Sequence, residues 1–374
     1  MMLSSCVYPF EVDLEGESGM MVIEGDILIG EIMPVNVSYT APVGSTEKDI
    51  EYPSATVWVE DDRGGSYLGK DSGKGSYEVD VREADPALKY RLRVKNRDTS
   101  REYVSEWQEV HRAAMVDSLS YRMSESRDMM FIGLSMHSMG ESWFRWRYDE
   151  TWEFHSRYYS VLDYSKPTSA NKYGYMFDRP DEENIYYCWS QDESKDLMLF
   201  STETQSEDRF EDLEFHAISR DDRKISSLYH MEVSLQAISK DAYIYWNNVK
   251  SNSEYNGSLF VPNPSEMSGN IRCVNDSTEF VLGYISASCV ARNDIYIDNA
   301  VTRFYKNPPA SEEEIVDARN TDWERYSKLG WIPIEYPDKD GNPSVVTWGQ
   351  ARCVDCRAMG GSKKKPEGWP TNHI

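Results

Sequence analysis

Four residues near the start of the chain have the types and spacing needed for a covalent modification. Leu3, Ser4, Ser5 and Cys6 form an aliphatic-small-small-cysteine run, the lipobox pattern that directs lipid to the cysteine thiol. Each buried CH₂ of a lipid chain adds roughly 0.8 kcal/mol of membrane affinity, so several chains on one residue make a lasting anchor. We therefore predict lipidation of Cys6, with Met1–Ser5 as the remainder of a cleaved signal.

The predicted signal is shorter than a complete one. A secretory signal has a basic stretch followed by an apolar stretch of about 7–15 residues. Only Met1, Met2 and Leu3 precede the two serines. Either the signal begins farther upstream or most of it has been removed, so residues 1–6 are interpreted as a truncated lipoprotein signal and lipobox.

An aromatic segment later in the chain could form a ligand-binding face. Trp143 to His155 alternates with period two, which predicts a strand. Its even positions are aromatic except for Glu150, and a buried carboxylate costs several kcal/mol unless it is paired. Either an arginine pairs with Glu150 in a buried core, which we favour, or this face is an open groove. The candidate ligand-face residues are Trp143, Trp146, Tyr148, Glu150, Trp152 and His155.

The cysteines other than Cys6 are odd in number, and an oxidising compartment favours disulfides. They are Cys188, Cys273, Cys289, Cys353 and Cys356. Cys353 and Cys356 are close enough in sequence to close a tight disulfide. A hairpin turn after Cys273 would place it out of register with Cys289. A zinc site needs a second Cys or His pair nearby, and none is evident.

Other motifs are too incomplete to predict chemistry. The segment Gly64–Lys70 resembles a phosphate-binding loop, but Asp71 stands where Ser or Thr should hold magnesium. Asp338–Asn342 resembles part of a calcium loop and fits a tight turn better. There is no Gly-x-Ser-x-Gly nucleophile motif. We therefore predict no catalytic residue, no metal site, no cofactor and no enzymatic activity.

Several strands must precede the aromatic segment. Residues 8–115 contain four runs in which apolar side chains recur at every second position, which predicts half-buried strands. The runs are centred on Val37, Val57, Val79 and Leu92. Their spacing favours an immunoglobulin-like sandwich. Lys89, Arg91, Arg93 and Lys95 line the polar face of the last run, where we expect cross-strand pairing with acidic residues.

A larger second region follows and is also strand-rich. His230–Ile238 alternates with Met231, Val233, Leu235 and Ala237 inward. Ser239 is a good N-cap for a helix that should reach about Asn252. From about residue 300 many prolines and glycines predict an irregular tail. The predicted fold is mainly β: an immunoglobulin-like sandwich over 7–115, then an antiparallel β-rich domain over 116–374 with one or two helices and an irregular C-terminal tail over about 300–374.

Composition limits the classes of function. The chain has 374 residues and a formal charge of −24, which argues against nucleic-acid binding because phosphate contacts need Lys and Arg. Hydrophobic residues make up 40%, which is typical of a globular protein. No run of 18 apolar residues occurs, so membrane attachment would depend on the lipid.

Several segments together resemble a family of Bacteroidetes outer-membrane lipoproteins, domain of unknown function 4249. The matching segments are Met21–Gly25, Trp143–Trp146, Glu150–His155, Asn270–Ile271, Val281–Ala287, Cys353–Cys356, Gly360–Gly361 and Lys364–Pro366. The family has no agreed activity, so no catalytic residue carries over. The resemblance implies a lipid-anchored location at the outer membrane, in a leaflet left open, and association with a TonB-dependent transporter.

Three functions remain as hypotheses. The first is a non-enzymatic accessory that helps a TonB-dependent transporter capture a ligand of unknown identity. The second is a hydrolase acting on glycans or peptides, which would need carboxylates about 5–10 Å apart in a cleft. The third is a structural or assembly protein of the envelope, which a flat apolar patch would favour.

Overall fold

Strands dominate the architecture. A computed structural model describes residues 19–41, 50–112, 114–194, 196–203, 209–254, 269–309, 311, 314–337 and 343–370. Within these ranges the fold is mainly β, as predicted. The strands are Met21–Gly25 (β1), Ile27–Ile29 (β2), Ile32–Tyr39 (β3), Ala55–Asp61 (β4), Ser66–Gly73 (β5), Ser76–Asp80 (β6), Lys89–Asn96 (β7), Glu102–Ser105 (β8), Gln108–His111 (β9), Met115–Met123 (β10), Met129–His137 (β11), Trp143–His155 (β12), Leu162–Ser165 (β13), Tyr175–Asp178 (β14), Tyr187–Glu193 (β15), Met198–Ser201 (β16), Arg209–Ser219 (β17), Leu228–Ala237 (β18), Ile271–Cys273 (β19), Val281–Leu282 (β20), Ala287–Asp298 (β21), Ile315–Arg319 (β22), Trp331–Glu335 (β23) and Val345–Gln350 (β24). The α-helices are Lys240–Glu254 (α1), Asn299–Thr302 (α2), Trp323–Lys328 (α3) and Ala351–Val354 (α4).

The N-terminal strands enclose one apolar core. Strands β1, β3 and β6 form one antiparallel ladder, β4, β7 and β8 form another, and β5 pairs with both β4 and β6. The inward side chains at every second position, including Val37, Val57, Val79 and Leu92, are fully or almost fully buried. The strands predicted here are confirmed, while the immunoglobulin-like topology stays a prediction.

The basic residues on the outer face of β7 form cross-strand ion pairs. Lys89 pairs with Glu109 at 2.8 Å, and Arg91 pairs with Glu60 at 2.6 Å. Arg93 contacts Glu60 at 3.1 Å. The predicted pairing is confirmed for these three residues, which accounts for a basic stripe on an acidic chain.

A much later segment completes the N-terminal core. Strand β19 pairs with β8, β20 pairs in parallel with β1, and β21 begins alongside β2. Ile271, Val281, Ile285 and Ala287 from this segment are buried in the same cluster as β3 and β4. The predicted division of the chain after residue 115 stays a prediction, but this core draws on residues from both sides of it.

The second region is built from two sheets packed face to face. Strands β15, β12, β18 and β21 are neighbours in one sheet, and β10, β11 and β17 form the other. Met231, Val233, Leu235 and Ala237 of β18 are all 0% exposed between them, as predicted. Each strand of the larger sheet therefore has one face in this core and an outer face that points away from it.

Helix α1 starts where the sequence predicted. The Ser239 hydroxyl accepts a hydrogen bond from the backbone N–H of Ala242 at 3.1 Å, which caps the first turn. Ala242 packs against Ile238 and Tyr284 in a small buried cluster. These contacts hold α1 against the end of the larger sheet.

The prediction of an irregular tail is wrong. Strands β22, β24 and β23 form an antiparallel sheet with its own core around Val346 and Trp348. Pro333 lies in β23, an edge strand, where the missing N–H of proline is tolerated. Strand β24 is buried at its four central positions, so it lacks the alternation that identified the earlier strands.

Among the described residues, no helix combines the length and hydropathy that crossing a lipid bilayer requires.

Candidate functional site

The even face of β12 is protein core and not an open groove. Trp146, Tyr148, Glu150 and Trp152 are between 3% and 9% exposed, and they pack in the cluster between the two sheets. The ligand-face hypothesis therefore fails for these four residues, because β11 and β17 of the facing sheet cover them. Of the two alternatives for Glu150, the buried, paired one holds.

Trp143 and His155 do not join those four residues. They lie on the opposite face of β12 and at its two ends, about 40 Å apart along an extended strand. Lys240 Nζ lies 5.5 Å from the centroid of the Trp143 ring. The His155 ring stacks on Tyr186 with a centroid distance of 4.8 Å. The six candidate ligand-face residues therefore form no single site.

Glu150 is the centre of a buried polar network. Its Oε2 accepts a hydrogen bond from Lys224 Nζ at 2.7 Å, and its Oε1 accepts one from the Tyr229 hydroxyl at 2.6 Å. His216 Nε2 lies 3.2 Å from Oε1, while His216 Nδ1 lies 3.0 Å from the Tyr148 hydroxyl. The His216 ring thus bridges the Glu150 carboxylate and the Tyr148 hydroxyl. Both carboxylate oxygens thus have donors.

The network keeps Glu150 ionised. Burial alone would raise the pKa of Glu150, but hydrogen bonds from His216, Lys224 and Tyr229 outweigh it and lower the pKa to about 2. Burial, and then the Glu150 charge, raise the pKa of Tyr148 to about 12. A general acid or base needs a pKa near the working pH. This geometry therefore favours a structural role over proton transfer.

The partners of Glu150 differ from the expected arginine. Lys224 comes from a short 3-10 helix, Arg223–Ile225, and His216 from β17. The Lys224 ammonium also lies 4.6 Å from the centroid of the Trp152 ring. The alternation of β12 correctly predicted that Glu150 is buried. It could not identify Lys224 as the partner, because Lys224 lies 74 residues away in the sequence.

A cleft separates the N-terminal region from the outer face of β12. This cleft has a volume of about 350 Å³, which falls within the range of small-molecule sites. Strand β12 contributes Arg145 and Arg147, and β18 contributes Gln236. Asp26 enters from the loop between β1 and β2, and Trp246 from α1. These four separate elements therefore position side chains around one cleft.

Arg145 is the hub of the cleft. Its Nη2 forms an ion pair with Asp26 Oδ2 and donates a hydrogen bond to Gln236 Oε1 at 3.0 Å. Its guanidinium lies 4.9 Å from the centroid of the Trp246 ring. The side chains of Arg145 and Asp26 are 14% and 9% exposed. The pair is therefore largely withdrawn from solvent and joins the two regions.

Part of the polar capacity of the cleft is unused. Asp26 Oδ1 and Trp246 Nε1 are buried and have no hydrogen-bond partner among the described residues. A buried polar group without a partner costs about 1–3 kcal/mol, so such groups are rare without a reason. One acceptor and one donor are thus incompletely satisfied at the wall of a ligand-sized cavity.

The alternation of β12 puts Arg145 on its outer face, but nothing in the sequence predicted the cleft. Asp26 is 119 residues away in sequence, and only the completed fold brings it to Arg145. No motif spacing joins them, so the sequence held no local signal for this site.

The predicted disulfide between Cys353 and Cys356 is wrong. Cys356 instead bonds to Cys188, with their Cα atoms 5.6 Å apart. Cys353 is a free, buried thiol that packs with Ile334 and Val354, whereas Cys356 lies with Cys188 in the core between the two sheets. The short helix α4 ends between the two cysteines and separates their environments.

Cys273 and Cys289 are free thiols and do not bond to each other, as expected, but the hairpin on which that expectation rested is absent from the described residues, because β19 pairs with β8. The described residues contain no group of three or more His, Cys, Asp or Glu side chains placed to hold a metal ion. The lipobox residues Leu3–Cys6 lie outside the described ranges.

Comparison with known proteins identifies one family. The sequence model of a domain of unknown function (DUF4249) matches residues 7–294. All residues named above for the cleft and the Glu150 network fall within that match, whereas Cys353 and Cys356 lie beyond it. No curated protein matches the chain. Because the match covers well over half of its 374 residues, the chain belongs to the DUF4249 family.

Proposed function

We propose that this protein is a non-enzymatic, ligand-binding accessory, anchored at the outer membrane by lipid on Cys6 and associated with a TonB-dependent transporter. The observation that carries the binding role is the cleft of about 350 Å³ around Arg145. It offers a guanidinium, an amide and an indole ring within one ligand-sized cavity. Such a small set of polar groups in a concave site is typical of ligand recognition.

The arrangement of charges supports binding over hydrolysis. In the cleft, the Asp26 carboxylate is tied to Arg145 by an ion pair. Glu150, a carboxylate buried in the core, is held ionised by three donors. Glycoside hydrolysis needs one carboxylic acid whose pKa is raised enough to donate a proton. Glu150 lacks the surroundings of such an acid, and hydrolysis of glycans or peptides is kept as the alternative proposal.

The anchor and the partner are supported by sequence. The Leu3–Cys6 pattern supports lipidation. The segments shared with DUF4249 outer-membrane lipoproteins support the location and the association with a transporter. Lipid attachment would keep a binding cleft near a transporter, and this proximity raises the effective ligand concentration at its mouth.

Affinity capture tests the proposed role. Tagged full-length protein is expressed in its native host and captured from detergent-solubilised outer membrane, with a Cys6→Ser variant as the matched control. We expect mass spectrometry to show lipid on Cys6 and to identify a TonB-dependent transporter in the captured material. The variant should move to the soluble fraction and lose the transporter.

Three results would contradict the proposal. An unmodified thiol at Cys6 removes the anchor, and capture without any transporter removes the accessory role. Turnover of glycans or peptides by purified protein, abolished by substitution of a cleft residue, would favour the hydrolase instead.

A further inference from the structure

Charges of opposite sign line opposite walls of the cleft. The wall from the N-terminal region carries two carboxylates, Glu24 and Asp26, and the wall from β12 carries two guanidinium groups, Arg145 and Arg147. Asp196, in the segment between β15 and β16, adds a third carboxylate. Three carboxylates against two guanidinium groups leave the lining with a net formal charge of −1. The lining therefore offers contacts to a cation and to an anion.

Arg145 and Asp26 neutralise each other across the cleft. Besides this ion pair, Arg145 contacts the Gln236 amide and the Trp246 ring. The Asp26 side chain is 9% exposed, and its Oδ1 has no donor among the described residues. The acidic wall therefore keeps accepting capacity after the ion pair has formed, while Arg145 is largely committed to partners within the protein.

Arg147 has no such partner. It follows Arg145 by two residues on the same face of β12, about 7 Å along the strand. Its side chain is exposed and makes no hydrogen bond, ion pair or aromatic contact within the described ranges. A guanidinium presents a planar fork of donors that matches a carboxylate. Arg147 is therefore the group in the cleft best placed to bind an anion.

Glu24 and Asp196 are unpaired in the same way. Both residues are exposed, and neither carboxylate forms a hydrogen bond or an ion pair in the part of the chain that the structure describes. In particular, neither of them pairs with Arg147, although all three residues line one cavity. The cleft therefore holds unpaired charges of both signs.

Strand pairing fixes where Arg147 and Asp196 stand. Arg147 lies opposite Ser234 on β18. On the other side of β12, the Ser194 N–H donates to the Tyr148 carbonyl at 2.8 Å, and the Ser194 hydroxyl accepts from the Tyr148 N–H at 3.0 Å. Asp196 follows Ser194 by two residues, so their Cα atoms are at most about 8 Å apart. Hydrogen-bonded backbone thus holds the carboxylate of Asp196 on the same side of the cleft as Arg147.

The removal of water determines which charges a ligand needs. Exposed charges are solvated, and a ligand that fills the cleft displaces that water. The loss of solvation costs several kcal/mol per ion unless an opposite charge replaces the water. An anion alone would leave Glu24 and Asp196 uncompensated, and a cation alone would leave Arg147 uncompensated. A ligand that carries both charges compensates all three groups.

The rest of the lining includes apolar surface on both sides of the cleft. Leu28 and Pro34 come from the N-terminal region, Leu197 follows Asp196, and Trp246 comes from α1. Small-molecule sites commonly combine such apolar walls with a few polar groups that fix orientation. The cleft therefore suits a small molecule that has two opposite charges and an apolar group.

We infer that the cleft binds a zwitterion with a primary ammonium group, a carboxylate and an apolar side chain, which is the chemistry of a free amino acid or a short peptide. Arg147 binds the carboxylate, and Glu24 and Asp196 bind the ammonium group. This inference rests on the proposed binding role and names its ligand class.

Calorimetry with blocked ligands tests the inference. Full-length protein is titrated with leucine, dileucine and trileucine. The tightest binder is then compared with its N-acetyl form, which lacks the ammonium group, and with its C-terminal amide, which lacks the carboxylate. We expect each blocked form to bind about tenfold more weakly or worse, the value of one hydrogen bond to a charged group.

Substitutions identify which residue meets which charge. Arg147→Gln removes the guanidinium, and the double variant Glu24→Gln/Asp196→Asn removes both unpaired carboxylates. These side chains are exposed and unpaired, so the variants should fold, which circular dichroism checks. Arg63→Gln and Glu78→Gln change exposed residues outside the cleft and are the matched controls.

The variants and the blocked ligands should show matching losses. Arg147→Gln should weaken the free zwitterion about tenfold and leave the affinity of the amide unchanged, because the amide has no carboxylate to lose. The double variant should weaken the free zwitterion and leave the affinity of the N-acetyl form unchanged. The two controls should have no effect. Tighter binding of leucine than of the peptides would assign a free amino acid, and the reverse order would assign a short peptide.

Three results would overturn the inference. They are no binding of any of the three ligands, equal affinities for the free and blocked forms, and equal weakening of the free and amidated forms by Arg147→Gln.

The outcome is separable from that of the proposed accessory role. Capture of a transporter without zwitterion binding would reject only the ligand class. Zwitterion binding with the expected losses but without transporter capture would reject the accessory role and leave the binding site intact.

Discussion

Two buried carboxylates in this protein sit in opposite circumstances. Glu150, in the core between the sheets, has donors on both oxygens from Lys224, Tyr229 and His216. Asp26, at the wall of the cleft, uses one oxygen for Arg145 and leaves the other without a partner. The first network is closed within the protein, and the second can still accept a hydrogen bond.

The difference between these two sites shows how a buried charge that stabilises the fold can be told from one that can bind a ligand. A carboxylate with every oxygen satisfied stabilises one conformation, and any new contact must displace an existing one. A carboxylate with an unmatched oxygen beside a ligand-sized cavity gains from a further donor. Burial alone, which the sequence suggested for Glu150, does not distinguish the two cases.

The largest expected effect comes from removing the Glu150 charge. Glu150→Gln leaves Lys224 and His216 without their anionic partner, so we expect the free energy of unfolding to fall by about 3 kcal/mol. Urea denaturation at neutral pH measures this. The matched control is Glu109→Gln, which breaks an exposed pair with Lys89 and should leave the free energy of unfolding nearly unchanged. Equal losses of stability for the two variants would contradict a stabilising role for the Glu150 network.

The pH dependence of stability gives a second test of the Glu150 network. The pKa of Glu150 is lowered from 4.5 to about 2 on folding. Its stabilising contribution is therefore complete above pH 4.5 and is lost as pH falls toward 2. Linkage gives a loss of about 2 kcal/mol between neutral pH and about pH 3. Urea titrations at a series of pH values should show the free energy of unfolding of the wild type falling by this amount more than that of Glu150→Gln. The same pH dependence in both proteins would contradict the assignment.

Asp26→Asn should cost less than the change at Glu150. The asparagine oxygen can still accept from Arg145, which also keeps its contacts with Gln236 and Trp246. We expect a loss of about 1 kcal/mol in the free energy of unfolding, together with weaker ligand binding. A loss of 3 kcal/mol or more would instead make Asp26 a structural group of the same kind as Glu150.

The smallest effect is expected for the unmatched indole. Trp246→Phe keeps an aromatic ring beneath Arg145 and removes an N–H that bonds to nothing among the described residues. Trp323→Phe is the control, since its indole N–H donates to the Ala318 carbonyl at 3.1 Å. Thermal unfolding should show Trp246→Phe to be milder by about 1 kcal/mol. The reverse order would mean that the Trp246 N–H has a partner after all.

Local patterns predicted much of the fold. Alternation with period two identified the buried faces of β3, β4, β7 and β18, because a strand must alternate its side chains between two faces. Ser239 identified the start of α1, because a capping hydroxyl acts within three residues. Each of these signals lies within a few residues of the feature that it predicts.

The candidate site could not be predicted in the same way. Arg145 meets Asp26 across 119 residues, and Cys188 meets Cys356 across 168. Only the pairing of strands brings such residues together, and spacing in the sequence does not encode it. The Cys353–Cys356 prediction failed because closeness in sequence was taken for closeness in space.

The shared N-terminal core has a consequence for the order of events during synthesis. When residue 115 leaves the ribosome, the edges of β1 and β8 still lack β20 and β19 as pairing partners. Those strands are made only after the whole of β12 and β18. The N-terminal core therefore cannot be completed until most of the chain has been synthesised, and part of its apolar surface stays uncovered until then. Contacts so distant in sequence slow folding, and a nascent chain of this kind depends on protection until its later strands arrive.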